Sequence, residues 1–579
     1  VYVDENVHDG RLRPAVGASS FQVMRANRTR PELGDGFGWT YNHAPMLAYW
    51  NGKFHVEYLS NPVGEHEPPG QTLVASSADG RHWGLPVVAF PPYPAPPGVT
   101  PPPGSTGYMM HQRMGFFVAP NGRLLLLAFY GHAPNPFRRS GIGRVVREMH
   151  RDGRLGPIYF LRYNTGTPWS EQNTAFPFYT RSPDREFVAA CEALLHNRLM
   201  VEQWRDEDPD AAVMRGPCSS LSFFHRLDGV VAGVCKQAYA ALSADEGASW
   251  SEPVRSSTFI TNNAKMWGQR TPDGRYALVY NPVPYGVQRW PLAVAAGDDG
   301  IVFSSLHLVH GEVPARRFLG RAKDFGAQYV RGIAEGNGDP GEQAFWVAYS
   351  MNKEDIWVSR IPVPIHERAA GPVADRFDDL AAGGEVPGWN VYSPKWAPVE
   401  VEEFPSRANK SLALRDRDPY DYARAVRVFA EGKRAVVRCR VLPKAAGADP
   451  FEIEVMDRYG NRPVRIVFAL DGWIRAVNGA ALTEARRVRP GQWHDLHIAV
   501  DAGKGRFDLT IDGTTALEGA QFAEAVLSVE RLLFRTGPYR NDPSRQLDRY
   551  DPKLKDLPGA DEPAPEALFY VDDVTIRAE

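Results

Sequence analysis

The chain has 579 residues, a formal net charge of -3 and a hydrophobic fraction of 43%, with 53 glycines, 49 prolines and 11% aromatic residues. That length exceeds one ordinary core, so two or three domains are expected. The charge argues against a general nucleic-acid binder, which needs a basic surface to displace phosphate counterions, and no apolar run is long enough to span a bilayer.

Abundant turn formers together with abundant aromatics point to an all-β architecture. Cys191, Cys218, Cys235 and Cys439 include no CxxC pair, which argues against a zinc site of the usual spacing, and they are too few for a dense disulfide framework. They suit an exported or a cytosolic protein. The opening VYVDENVHDG lacks the order of a signal peptide. The expectation is a secreted or periplasmic protein, with any signal peptide absent from this numbering.

In chain order, the first strong signal is Trp39 to Trp83. Two strand-like runs, MLAYW and FHVEYL, flank Asn51-Gly52, a pair that favours the positive φ angles of a tight hairpin turn. The stretch closes on Ser77-Ala78-Asp79-Gly80-Arg81-His82-Trp83. At 115–130 the form returns around Asn121-Gly122, at 187–204 around His196-Asn197, at 266–280 around Asp273-Gly274, and more weakly at 341–349. Recurring hairpins predict a propeller or a solenoid. The turns Asp152-Gly153, Asp228-Gly229 and Asp299-Gly300 leave room for further units, and about 52 residues per blade would give seven blades by residue 365. Ser243 to Trp250 is a full S-x-D-x-G-x-x-W box; the Ser77 stretch is a copy one residue short. In such a box Ser and Asp bond backbone amides and Gly takes the positive φ.

Residues 351–365 read as a last strand with a proline-punctuated exit, and 366–375 as a linker. From 376 to 579, short alternating runs such as FEIEVMDRYG and LFYVDDVTI predict an antiparallel β-sandwich. Asp378-Asp379 and Asp572-Asp573 are carboxylate pairs that would suit calcium if they met, and ordinary acidic strand ends if they did not.

A propeller gathers loops from distant parts of the chain at one end of its channel, so polar residues at strand entrances are the site candidates. These are His43 and His66 around the first hairpin, His111 and Arg113 before the second, Tyr130 after it, and Arg144 and Arg147, which alternation places on opposite strand faces. Asn263, Lys265 and Trp267 are candidates for substrate contact. Each has a plainer reading as a packed histidine, a surface salt bridge or a core tryptophan. Together, an arginine that forks onto a carboxylate and a Tyr or His that moves a proton suit β-elimination at a uronic acid, with no cofactor needed for the chemistry.

The run YNHAPMLAYWNGKFHVEYLSNPVGEHEPPGQTLVASSADGRHW resembles the first blade of the seven-bladed propeller polysaccharide lyases, of ulvan lyase and L-rhamnosyl-glucuronate lyase type, and of the related propeller α-L-rhamnosidases. The ending NKEDIWVSRIPVP resembles theirs too, and the resemblance covers about residues 35–365. It implies a seven-bladed propeller, an anionic glycan carrying rhamnose beside glucuronate or iduronate, and a site in which His43 and His66 match a histidine pair and Tyr130 with Arg147 or Arg144 a later pair. It also implies a structural metal ion such as calcium, for which no ligand cluster stands out. The region after the linker resembles concanavalin-like jelly-roll modules. The expected architecture is therefore a catalytic propeller over 1–365, a linker over 366–375 and a sandwich over 376–579.

Three functions compete. A polysaccharide lyase leads. A propeller α-L-rhamnosidase or other glycoside hydrolase follows, though Glu57, Glu65, Glu67, Glu171 and Glu192 show no pairing across a scissile bond. A sialidase ranks lower, since it needs an arginine cluster and a Tyr/Glu pair and only one full box is present. A non-catalytic glycan-binding protein is the third.

Overall fold

The computed structural model describes residues 3–112, 114–134, 141–165, 167–205, 217–287, 289–540 and 555–579. Strand β1 (Ser19–Met24) precedes four sheets that each stand alone as a blade. The first blade is β2 (Tyr41–Trp50), β3 (Lys53–Asn61), β4 (Gln71–Ser77) and β5 (Val87–Phe90). The second is β6 (Gly107–Met110), β7 (Gly115–Val118), β8 (Leu124–Ala133), β9 (Gly141–Met149) and β10 (Tyr159–Tyr163). Helices α1 (Arg185–His196) and α2 (Arg198–Arg205) follow. The third blade is β11 (Ser222–His225), β12 (Val231–Cys235), β13 (Tyr239–Ser243) and β14 (Val254–Arg255). The fourth is β15 (Trp267–Arg270), β16 (Tyr276–Tyr280), β17 (Leu292–Gly297) and β18 (His307–His310). Strands β19 (Ala327–Gly332), β20 (Ala344–Met351) and β21 (Asp355–Pro362) then pair in order and take β1 as their outer strand.

Among the described residues the count is four separate blades, not seven. The Asp-Gly turns that left room for more units join strands within blades: β9 to β10, β11 to β12 and β17 to β18. The hairpin expected at 187–204 is helical. Phe187, Ala190, Cys191 and Leu194 are buried at i, i+3, i+4 and i+7, and the Asp184 side chain caps α1 by accepting from the amides of Glu186 and Phe187. The run is rich in Ala, Leu, Glu and Met and poor in β-branched residues, so helix propensity prevails over a turn-like dipeptide.

The other hairpins form as expected. Asn51 and Gly52 both take positive φ, 52° and 75°, between β2 and β3. Both boxes close a turn between the third and fourth strands of a blade. The Ser243 hydroxyl accepts from the Gly247 amide at 2.9 Å, and Asp245 accepts from Ser249 at 2.8 Å; Ser77 and Asp79 repeat this at Gly80 and Arg81.

The C-terminal region is β-rich and continuous with the propeller. Its strands are β22 (Val373–Asp375), β23 (Trp389–Ser393), β24 (Val399–Ser406), β25 (Asn409–Asp416), β26 (Arg424–Gly432), β27 (Arg434–Ala446), β28 (Phe451–Met456), β29 (Val464–Phe468) and β30 (Trp473–Asn478). They continue as β31 (Ala481–Arg487), β32 (His494–Asp501), β33 (Arg506–Ile511), β34 (Thr514–Gln521), β35 (Val529–Thr536) and β36 (Ala567–Ala578). Beyond β1 the propeller sheet runs on through β23, β26, β35 and β28 to β31, with β1 and β23 parallel; a second sheet holds β24, β25, β36, β27 and β32 to β34. Residues 366–375 are not wholly linker, since β22 pairs with β36. One hydrophobic core joins Phe21, Leu47 and Trp346 of the propeller to Trp389, Phe451 and Phe569 beyond it.

Candidate functional site

The entrances of the blades' inner strands and the turns from second to third strand lie at one end of a propeller. His43 stands near the start of β2, Lys265 just before β15, and Tyr329 near the start of β19. Lys236 follows β12, Glu65 and His66 follow β3, and Lys353 forms the turn from β20 to β21. The Asn51-Gly52 turn and both boxes belong to the opposite end.

Tyr329 sits in a register break. Gln328 pairs with Ser350, but Arg331 pairs with Ala348, so one extra residue is inserted, and Tyr329 takes φ of 55°. A β-bulge re-aims side chains, and a bulky residue held at positive φ costs about 1–3 kcal/mol of backbone strain, which collects at functional sites. The bulge packs the Tyr329 ring against His43, with centroids 4.4 Å apart, and Lys236 Nζ donates to the Tyr329 hydroxyl at 3.1 Å. Lys265 Nζ lies 4.3 Å from the same ring's centre. Strand β2 has a register break of its own just after His43, before Met46.

His43 is fully buried, with Nδ1 2.8 Å from the Ser350 hydroxyl. Burial, and then the charges of Lys353, Lys265, Lys236 and His111, push its imidazolium well below the usual range, so it is neutral at pH 7. Beside it, burial and the Glu65 carboxylate push the Tyr41 phenol well up. Lys353 reaches Asp324 at 3.1 Å and Glu65 at 3.3 Å. Burial pulls its ammonium down, but Glu65 and Asp324 outweigh this and raise it. Glu65 is pinned by its amide to the Arg321 carbonyl at 3.0 Å and lies 3.7 Å from His66 Nε2. The His66 and His111 rings are 5.4 Å apart. Cys218 and Cys235 form a disulfide, and the Lys236 amide donates to the Ser219 carbonyl at 3.1 Å, so the backbone at the lysine is tied to residues 218–219.

Of the residues expected from sequence, His43, His66, His111 and Lys265 therefore come together. Arg113 lies outside the described residues. Tyr130 goes elsewhere: its hydroxyl donates to the Pro91 carbonyl at 2.7 Å and its ring packs on Tyr93 and Phe176. Arg147 donates to the carbonyls of Ala89 and Gly156, and Arg144 to those of Trp204 and Arg205. These hydroxyl and guanidinium groups tie loops and neighbouring segments through backbone acceptors. Asn263 is exposed, with its carbonyl accepting from Arg289. Trp267 is buried and donates to Gln269. Tyr329, Lys236, Asp324 and Lys353 were not foreseen. Glu65 is among the carboxylates for which the sequence shows no pairing.

Among the described residues no group of three or more His, Cys, Asp or Glu side chains could hold a metal ion. Of the carboxylate pairs weighed for calcium, one member, Asp573, meets arginines. Asp573 pairs with Arg440 and Arg376, and Asp378 accepts the Lys410 amide. Burial, Asp573 and Asp378 push the Asp572 carboxyl up to about 6. Nor is any described helix long and apolar enough to cross a membrane.

Residues 1–215 match the family described as BT_1020-like, N-terminal beta propeller, and residues 389–549 match the sialidase-like CBM domain. No curated protein matches the chain. A solved structure named sialidase is 38% identical over 100% of this chain, with a TM-score of 0.94; the chain spans about half, 53%, of that protein. The sialidase of Trypanosoma rangeli with sialic acid bound is 11% identical, over 97% of this chain and 96% of that one, with a TM-score of 0.36, too distant to bear on function. These likenesses and the blade count overturn the resemblance to seven-bladed lyases and rhamnosidases. The chain is thus similar over its whole length to part of the 38% identical sialidase, with propeller likeness over 1–215 and sialidase-like CBM likeness over 389–549.

Proposed function

We propose that the protein is a glycoside hydrolase that releases an acidic sugar, with Tyr329 as nucleophile. The observation that carries this is the bulge that holds the Tyr329 hydroxyl against Lys236 and its ring between His43 and Lys265. An ammonium at 3.1 Å favours loss of the phenolic proton to solvent as the oxygen attacks the anomeric carbon, and that proton returns to the oxygen when water cleaves the glycosyl–tyrosine bond. Sialidases use a tyrosine in this role because a carboxylate nucleophile would repel the substrate's own carboxylate. Lys265 is the cation placed for that carboxylate. The Glu65–His66 pair handles the proton, giving it to the leaving oxygen and then taking one from water. Neutral His43 packs the phenol in place without adding a competing charge.

The name of the 38% identical relative makes sialosides the first substrates to try. An anionic glycan remains the expected partner. We further take the propeller as spanning 1–365 and the two C-terminal sheets as a β-sandwich from 376, for which the CBM likeness over 389–549 is the support. The disulfide fits an exported protein.

The test is release of free sugar from a fluorogenic sialoside and from a panel of acidic glycans. Wild-type protein is expected to turn over at least one of them, and Tyr329→Phe to lose about 100-fold or more in kcat while staying folded, as when an activated nucleophile is removed. No turnover on any substrate, with binding retained, would favour a purely glycan-binding protein. Full activity in Tyr329→Phe would remove Tyr329 from the chemistry.

A further inference from the structure

A second concavity lies away from this cluster and shares no residue with it. It is a cleft of about 750 Å³ where the segment after residue 10, the edge of the fourth blade, the exit from β21 and the loop after β28 meet. That volume is within the range of small-ligand sites, about 300–1,000 Å³, which favour such junctions. Its wall carries five guanidinium groups: Arg11, Arg13, Arg275, Arg368 and Arg458. Leu12, Leu306 and Ile365 give it an apolar floor, and Tyr459, 48% exposed, offers a ring under the Arg458 guanidinium at 4.9 Å.

Three of these cations already hold carboxylates, Arg13 through Glu431 at 2.7 Å and Glu530 at 3.1 Å. Arg275 gives its Nε to Asp298 at 2.6 Å, and Arg11 gives its Nε to Asp4 at 3.0 Å. A guanidinium has five donors, so an anchor at Nε leaves the terminal NH₂ groups of Arg275 for another acceptor. One carboxylate already shows what the wall can hold. Glu367, 43% exposed, lies 3.4 Å from Arg368, 3.5 Å from Arg13 and 3.8 Å from His307.

We propose that this cleft is a second, non-catalytic carbohydrate site that takes an acidic saccharide. The saccharide's carboxylate displaces Glu367 from Arg368 and is forked by Arg275, while the apolar face of the pyranose packs on Tyr459. The site holds a charged glycan at the junction of the two regions while the propeller's other end works on it.

The probe is an oligoglucuronate hexamer titrated into the full chain, with cellohexaose as the neutral control. Arg275→Ala/Arg368→Ala removes two exposed cations outside the catalytic cluster, so the protein stays folded and keeps its sialoside turnover. Its affinity for the hexamer is expected to fall about tenfold or more, the scale of two lost charge-assisted contacts. Glu367→Gln removes the competing carboxylate and is expected to tighten binding about threefold. Affinity unchanged in both variants, or equal binding of cellohexaose, overturns the proposal. Because binding is read here and turnover separately, either this site or the hydrolase reading can fail alone.

Discussion

At the scale of single residues, buried histidines set the response to acid. Burial takes His55 to about 4, although the Trp50 carbonyl opposes it, and burial likewise takes His310 to about 4. Their unfolded forms bind protons near 6.5, so between about 6.5 and 4 the unfolded chain binds more protons than the folded one. Stability is then full above about 6.5 and falls as pH drops to about 4, by roughly 3 kcal/mol for each histidine. His43, lowered for the same first reason, has the same sign. Asp421 and Asp572, both raised by burial to about 6, act oppositely, because the folded chain holds their protons longer. A whole-protein curve therefore mixes both signs. His55→Gln isolates one: it keeps a partner for Ser76 and does not titrate. The urea midpoint of the variant is expected to fall less than wild type between pH 7 and pH 4.5. Parallel curves would show that His55 is not a source of the acid sensitivity.

At the scale of elements, turns were legible and insertions were not. Asn51-Gly52, Asn121-Gly122 and Asp273-Gly274 announce hairpins because few residues tolerate positive φ, and all three form where the sequence puts them. His196-Asn197 misled because a dipeptide was weighed above the 3.6-residue period around it. His43, His66, His111 and Lys265 were legible as polar residues at strand entrances. Tyr329 was not, since one inserted residue in β19 decides where its ring points, and FGAQYVRG reads as an ordinary strand. Tyr130 and Arg147 looked functional because sequence cannot show a backbone carbonyl waiting for a donor. Glycine positions give a test of the turns. Gly52 and Gly80 both have φ near 75°, but a Cβ on Gly52 would meet nothing within 4 Å, whereas one on Gly80 would lie 2.6 Å from the Trp346 ring. Gly52→Ala is expected to cost about 1 kcal/mol, the left-handed penalty alone. Gly80→Ala should cost about 3 kcal/mol, the same penalty plus a clash in a packed core. Equal urea midpoints for the two variants would show that Trp346 gives way and that the box is less tightly seated than its geometry suggests.

At the scale of the whole molecule, the propeller and the C-terminal region share one sheet through β1 and β23, and buried charges cross the same boundary. Arg25, at the end of β1, is fully buried and forks onto Asp418 at 2.7 and 3.2 Å, while its guanidinium lies 3.7 Å from the centre of the Trp396 ring. Arg317 pairs with Asp355 beside it. Such pairs add little net stability over apolar replacements, but half a pair is costly, because an uncompensated charge is left in low dielectric. Asp418→Ala is therefore expected to lose about 3–5 kcal/mol. Arg25→Met in the same chain should recover most of that loss, since methionine can still pack on Trp396 and the charge left without Asp418 is removed with it. The shared sheet and the continuous core predict one cooperative calorimetric transition, moved as a whole by Asp418→Ala and moved back by the double variant. Two wild-type transitions, with only one responding to Asp418→Ala, would mean that β1 and β23 join two independent folding units. Recovery absent in the double variant would mean that Asp418 supports the boundary through the Tyr420 amide it accepts at 3.0 Å rather than through Arg25.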